Sequence, residues 1–256
     1  MTAKVLILDI ETAPKLAHVW GLFQQNVGLN QLVADMYIMA VAGKWLGADN
    51  CGYAEARTEA DEAALAAKVW KWVDEADILV GHNMRRFDLP HLYAAFARAG
   101  LPPPSPVKVV DTLEICKRHF KFTSNRLEFI AKALKVPEKS GHKEFPGHLL
   151  WSECLKGNKA AWAEMKAYNV QDVLTTEHVY LKVRPYAAGH PAVNVENPGE
   201  EHTCPTCGSA SVQRRGYATT KVGKYSRYQC GSCGAWSRTR TTEHTKTERR
   251  AVLTSI

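Results

Sequence analysis

The sequence predicts an α/β domain, a mixed sheet covered by helices, followed by a small cysteine-bearing module. Three observations carry that expectation. Short apolar runs bounded by polar residues, Val5-Leu6-Ile7-Leu8 and Ile78-Leu79-Val80-Gly81, have the pattern of strands buried on both faces. Stretches such as 59–75 and 159–183 instead place apolar residues at helical spacing. Two Cys-x-x-Cys pairs, Cys204/Cys207 and Cys230/Cys233, stand 22 residues apart near the C-terminus.

Taken in order, residues 4–11 form the first strand and deliver Asp9 and Glu11 at its end. Residues 12–35 resist assignment: Pro14 precludes simple strand continuation, and Trp20-Gly21-Leu22-Phe23 reads as an aromatic loop. Trp20 and Phe23 are candidates for stacking on a terminal base, or for the core. Residues 36–46 and 51–54 read as strands. Leu65, Val69, Trp72 and Val73 give 59–75 one apolar face, with Trp70 and Trp72 as packing residues. The strand 78–81 runs into His82-Asn83-Met84-Arg85-Arg86-Phe87-Asp88, and a helix over 89–99 stops at Gly100 and the prolines of 102–106. Residues 107–110 are a strand delivering Asp111-Thr112, 125–134 a short helix, and 136–150 a loop marked by Pro137, Gly141, Pro146 and Gly147. The long helix 159–183 carries Trp162, Met165, Tyr168, Asp172 and Thr176 at steps of three and four. The expected boundaries are a domain over 1–184, a linker over 185–201 rich in Pro and Gly, a cysteine module over 202–240, and a basic, disordered tail over 241–256.

The chain's 256 residues leave room for a sizeable core and an appendage. No apolar run approaches the roughly 18–20 residues that cross a bilayer, and the N-terminus lacks a signal pattern. The expectation is a cytoplasmic protein, of a bacterial cell or a phage-infected host, with no membrane partner. The net charge of +7 is unevenly spread: residues 203–256 hold ten Lys/Arg and two acids, which leaves residues 1–202 slightly negative. Such asymmetry points to a polyanionic partner, most often nucleic acid, or to a solvated basic tail.

Four carboxylates fall at places where they can converge. Residues two apart on a strand share a face, so Asp9 and Glu11 lie side by side. Asp88 opens a helix after a later buried strand, and Asp172 lies one helical turn beyond Tyr168, on the same face. Close carboxylates repel, and a hard divalent cation with oxygen ligands relieves the repulsion.

This arrangement resembles the DEDD superfamily of 3′→5′ exonucleases, whose fold is ribonuclease H-like. Asp9-Ile10-Glu11 matches that family's first motif, Asn83 through Phe87-Asp88 its second, and Tyr168-Asn169-Val170-Gln171-Asp172 the third motif of its tyrosine (DEDDy) branch. Val110-Asp111-Thr112-Leu113 with Asn125-Arg126-Leu127 is similar to a stretch often found between the last two motifs. The setting looks most like the proofreading domain of B-family DNA polymerases as a stand-alone copy, over about residues 4–184. The resemblance implies removal of nucleoside 5′-monophosphates from DNA 3′ ends, single-stranded or frayed, with RNA as an open possibility. It implies two Mg²⁺ ions, replaceable by Mn²⁺, which clamp the attacking and leaving oxygens. Asp9 would bridge them, Glu11 and Asp172 would complete one, and Asp88 would hold the other through water. Tyr168 would orient the nucleophilic water, while Asn83 and Phe87 would shape the pocket. Rival expectations are a structure-selective endonuclease built on the same residues, and a nucleic-acid-binding replication accessory with weak catalysis.

The cysteine pairs, each followed by Gly, resemble a zinc ribbon with a closed site of four thiolates around one structural Zn²⁺. His202 is a neighbouring candidate. Arg214, Arg215, Lys221, Lys224, Tyr225, Arg227 and Tyr228 lie between the pairs, and this mixture of basic and aromatic residues suits a single-stranded backbone with stacked bases. The alternative is a protein-docking ribbon that contacts a replication protein, its aromatics serving as a miniature core.

Overall fold

The structure is a computed structural model that describes residues 3–137, 144–195, 199 and 201–254. The chain divides into two compact units, Lys4–Tyr180 and a smaller one that gathers Met1–Ala3 with Leu181–Ile256.

The larger unit is built on a five-stranded sheet: β1 (Val5–Thr12), β4 (Ile38–Trp45), β5 (Gly52–Glu55), β6 (Ile78–Gly81) and β7 (Lys108–Asp111), in the order β5-β4-β1-β6-β7. β4 runs antiparallel to both β1 and β5, whereas β6 and β7 run parallel to β1. The sheet is therefore mixed, as the sequence predicts. Strand β1 lies at its centre, and Val5 through Leu8 are buried without alternation because both faces are covered. A parallel neighbour requires a crossover. The helix α1 (Glu62–Glu75) precedes β6, and α2 (Asp88–Arg98) links β6 to β7. On α1, Leu65, Ala66, Val69 and Val73 form the buried stripe, while Trp70 and Trp72 pack partly buried against the core.

The remaining helices are α3 (Thr112–His119), α4 (Leu127–Ala133), α5 (Leu149–Leu155) and α6 (Lys159–Val183). Sequence periodicity does not reveal α3, because only Thr112, Ile115 and Cys116 are buried along its eight residues. Helix α5 begins inside the stretch expected to be a loop; Gly141 of that stretch lies outside the described residues. Residues 12–35 contain a small antiparallel pair, β2 (Leu16–Ala17) and β3 (Leu32–Ala34), where no element was expected. The buried positions of α6 are unusual for a core helix. Trp162, Met165, Val173, Val179 and Tyr180 are interrupted by Asn169, Asp172, Thr175, Thr176 and Glu177. Lys44 on β4 meets Glu177 at 2.6 Å, with both side chains nearly sequestered from solvent. Such a pair positions more than it stabilises, since desolvation of both ions offsets their attraction.

In the smaller unit, β8 (Val212–Thr219), β9 (Lys224–Cys230) and β10 (Trp236–Arg238) form an antiparallel sheet in the order β10-β9-β8. Two expected boundaries require correction. The segment after α6 is not a free linker: Val193 donates to the Pro205 carbonyl and accepts from the Ala3 amide, both at 2.8 Å. Nor is the segment after 240 simply a disordered tail. The Glu243 amide donates to the Lys224 carbonyl at 2.7 Å. A short helix, α7 (Lys246–Ala251), is then closed by a capping box between Thr245 and Glu248.

Candidate active site

Strand β1 presents Asp9 and Glu11 on one face, with Ile10 buried on the other. Their partners across the antiparallel ladder are Ala42 and Ala40, whose small side chains leave space beside the carboxylates. The register of β1 slips between Glu11 and Thr12, so regular pairing breaks immediately after the two acids. Helix α6 supplies the other wall. It brings Asp172, buried, to the same place, and oxygens of Asp9, Glu11 and Asp172 lie within 4.8 Å of one another. Three carboxylates at that separation repel strongly unless protons or a cation intervene. An all-oxygen donor set of this kind fits a hard divalent ion.

Asn169 completes the site, and sequence reasoning gave it no role. Its buried Nδ2 donates to Asp9 Oδ2 at 2.8 Å and to the Asp9 carbonyl at 3.2 Å. It thereby fixes the carboxylate's rotamer from the adjacent helix. Its only signal in the sequence is its place, three residues before Asp172 on the same helix face. Substituting Asn169 by Leu is expected to lower metal affinity or metal-dependent activity about 10–100-fold, the usual cost of losing a residue that orients a metal ligand. Metal titration of the variant checks this.

Tyr168 lies beside the cluster, its ring edge-on to Trp151 of α5 at 5.9 Å between centroids. Burial, followed by the charges of Asp172, Glu11 and Asp9, pushes its pKa above the usual phenol value. The hydroxyl is therefore a donor at neutral pH. Trp151 also went unrecognised in the sequence. Together with Thr12, Pro14 and His148 it lines an open cleft of about 340 Å³.

Asp88 stands apart from the other three. It is buried, and its Oδ1 accepts the Ile10 amide at 3.1 Å, which ties the start of α2 to β1 between Asp9 and Glu11. Its carboxylate does not join the group within 4.8 Å. Burial, helped by the nearby Asp111 charge, pushes its pKa up to about 7, even though backbone donors at Asp88 and Ile10 pull the other way.

The loop before Asp88 turns sharply, and Asn83 adopts φ 71°, a left-handed conformation that Asn tolerates. Asp111 fastens this corner by accepting the amides of Asn83 at 3.0 Å and Arg85 at 3.2 Å. His82 bridges the Thr112 hydroxyl and the Asn125 carbonyl, each at 2.9 Å. Gly81 precedes the corner because a Cβ there would lie 2.6 Å from Met84 Cε. Asn83 thus serves the backbone. Phe87 is 36% exposed and lies 4.6 Å from the His91 ring, so it is not a core residue. Trp20 and Phe23, on the loop between β2 and β3, are 99% and 86% exposed, which rules out the core alternative for both.

The four cysteines of the smaller unit converge without forming disulfides. Cys204 Sγ and Cys233 Sγ are 3.7 Å apart, as are Cys207 Sγ and Cys230 Sγ. A bonded pair would be near 2.05 Å, whereas tetrahedral Zn²⁺ with bonds of about 2.3 Å spaces its sulfurs about 3.8 Å apart. The sulfurs therefore fit a zinc ion. Each knuckle closes through an amide of the following glycine, Gly208 to the Cys204 carbonyl at 2.8 Å and Gly234 to the Cys230 carbonyl at 3.0 Å. Both glycines have positive φ, 78° and 82°. Burial raises the Cys230 thiol, but the Cys233 and Ser232 amides and the Cys207 and Cys233 thiols outweigh it and bring it down to about 6. His202 lies outside this group and packs against the Tyr228 ring at 4.8 Å. The seven basic and aromatic residues expected to bind nucleic acid do not form one patch. Tyr225 and Arg227 lie on one face of the sheet, Lys224, Tyr228 and Arg214 on the other, and Arg215 and Lys221 outside the regular pairing.

A mixed sheet whose central strand ends in paired carboxylates, met by an acid from a long helix, is an α/β fold with a candidate site for a divalent cation. A family model for the RNase H superfamily matches residues 28–184, more than half of the chain. The chain belongs to the RNase H superfamily, and this supports a nuclease. The match includes Asp88, Tyr168 and Asp172; Asp9 and Glu11 precede it, and the structure brings their carboxylates to that of Asp172. Among solved structures, the family B DNA polymerase from the hyperthermophilic archaeon Pyrobaculum calidifontis is similar, with a TM-score of 0.56 and 19% identity. The likeness covers 72% of this chain and 25% of the polymerase, so the chain spans about a quarter of that protein. At that identity the likeness concerns architecture. No curated protein matches the chain.

Proposed function

We propose that the chain is a metal-dependent 3′→5′ exonuclease that removes nucleoside 5′-monophosphates from DNA ends, with the zinc ribbon assisting substrate binding. The observation that carries this reading is the convergence of Asp9, Glu11 and Asp172, with the Tyr168 hydroxyl beside them. Membership of the RNase H superfamily and likeness to a DNA polymerase support it. Two Mg²⁺ or Mn²⁺ ions bound at this cluster would supply Lewis-acid stabilisation of the charge that builds on the phosphoryl oxygens. Asp9, Glu11 and Asp172 would hold them, with Asp88, which accepts the Ile10 amide, contributing through water.

The chain's own residues then have separable tasks. Asn169 keeps Asp9 in one orientation. Tyr168, half-buried beside the cluster, donates a hydrogen bond that positions the attacking water. With an ordinary phenol pKa of about 10, it is a poor base at neutral pH. Water attacks the terminal phosphodiester and gives up a proton to solvent, the bond from phosphorus to the 3′ oxygen breaks, and that oxygen takes up a proton from solvent in return. The product is a 5′-monophosphate. The exposed Trp20 and Phe23 are proposed to stack on bases near the end undergoing cleavage.

End-labelled strands test the polarity. With Mg²⁺ or Mn²⁺ added to a metal-depleted reaction, a 3′ label should leave at once as a mononucleotide, while a 5′-labelled strand shortens one nucleotide at a time. A discrete internal fragment would instead identify an endonuclease, and shortening from the 5′ side would overturn the polarity. DNA and RNA strands run in parallel identify the substrate sugar.

A further inference from the structure

The zinc-bearing sheet has two unlike faces. In an antiparallel sheet, residues directly opposite share a face, and alternate residues on one strand share it too. Tyr225, Arg227 and Gln229 of β9 therefore lie on one face. Trp236 joins them opposite Gln229, and Arg238 opposite Arg227. On this face the Arg227 guanidinium sits over the Trp236 ring at 4.9 Å, and the Arg238 guanidinium over the Tyr225 ring at 4.0 Å. None of these sheet residues is acidic. Trp236 is 52% exposed.

The opposite face is occupied by the chain itself. Arg214 Nε donates to Ser226 Oγ at 2.9 Å, and Ser226 in turn donates to Glu243 at 2.7 Å. Lys224 and Arg214 both lie over Tyr217, and His202 packs on Tyr228. Asn194, His202, Pro205, Thr242 and Glu243 help to wall a cavity of about 770 Å³ on this side, with Tyr228 and Ser237 in its lining. What sets this face apart is its acid, Glu243, which the Ser226 hydroxyl links to Arg214.

We propose that the open face, through Tyr225, Arg227, Trp236 and Arg238, is a binding surface for single-stranded nucleic acid, and that the opposite face takes no part. This deepens the reading above and rests on it for the class of substrate. Two ring-and-guanidinium pairs follow one another along the sheet, and each offers a flat face for a base and a positive charge for a phosphate. A single strand presents a base and a phosphate with every nucleotide. A duplex keeps its bases within the stack and has only phosphates to offer. An acidic protein would satisfy the arginines but would leave the paired rings without stacking partners.

The test uses the full-length, zinc-loaded protein, with fluorescence anisotropy of labelled oligo-dT and of a blunt duplex of the same length, without added divalent ions. Trp236→Ala and Tyr225→Ala should each weaken oligo-dT binding about tenfold, the typical effect of one lost stacked base. Arg238→Gln should weaken it and reduce the slope of log affinity against log salt by about 0.7. Tyr217→Leu on the opposite face should change neither, and the duplex should bind more weakly than the single strand. Zinc content and melting temperature identify any variant that has lost its fold, and Arg238→Gln, an exposed change, keeps the test decisive if a ring variant does. Equal losses from Tyr217→Leu, no loss from Trp236→Ala and Arg238→Gln, or tighter binding of the duplex would each overturn the proposal. Trimming of short end-labelled strands reports on the carboxylates separately, so failure here is distinguishable from failure of the exonuclease reading.

Discussion

Asp9→Asn should abolish metal-dependent trimming, with a loss of about 10³-fold or more, while the protein stays folded. The magnitude follows from what the cluster holds. Metal-borne stabilisation of phosphoryl charge is worth several kcal/mol, and each 1.36 kcal/mol is tenfold in rate. The amide keeps the shape of the carboxylate, so Asn169 can still reach its side-chain oxygen, and the change removes charge more than packing. Stability gives a second readout with opposite signs. Removing one of three mutually repelling carboxylates should raise the melting temperature of the metal-free protein. Adding Mg²⁺ should then raise the melting temperature of the parent but not of the variant, because a ligand at about 100 times its Kd stabilises the folded state by about 2.7 kcal/mol. Full activity in the variant, or an equal Mg²⁺ response in both proteins, would remove Asp9 from the site.

The positions of Asp9, Glu11 and Asp172 were legible because each sits at a place that periodicity fixes. Two lie at the end of a strand buried on both faces, and one lies on a helix a single turn from Tyr168. The architecture was legible for the same reason, since β1, β4 and β6 are nearly unbroken apolar runs. What the sequence hid was the set of polar residues that hold the site in shape. Asn169 and Asp111 act through hydrogen bonds to groups 160 and 28 positions away. Composition and spacing carry no trace of such partners. Trp151 was hidden because α5 is too short to show periodicity and begins within a stretch punctuated by proline and glycine. In the smaller unit, the basic and aromatic residues were visible as a mixture. Their division between two faces was not, because a register slip between Arg214 and Tyr217 breaks the alternation on β8. Counting by twos along that strand places residues beyond the slip on the wrong side.

Withdrawal of zinc should unfold the smaller unit's sheet and leave the larger unit folded. Among the described residues, the core around the knuckles consists of Cys204, Cys230 and Ala235, with Cys207, Val212 and Cys233 packed against them. So little apolar surface cannot offset the conformational entropy of ordering three strands. Structural zinc typically contributes about 10–16 kcal/mol of apparent binding free energy, and in such modules that energy is folding energy. The larger unit has its own extensive core, from Leu6 and Leu8 through Trp162 and Met165, and does not draw on the metal. The purified protein should therefore carry one zinc per chain. A chelator strong enough to remove it should abolish amide protection across β8, β9 and β10, while β1, β4 and β6 keep theirs. Cys230→Ser should reproduce the effect without chelator, because it removes a buried thiolate from the closed site. Since the ligands bind as thiolates, acidification should release the metal, and protection of the three strands should disappear over the same pH range. Persistent protection of β8 to β10 after complete zinc removal would mean that packing alone holds the module. A mass lower by two hydrogens per cysteine pair would mean that disulfides hold it instead.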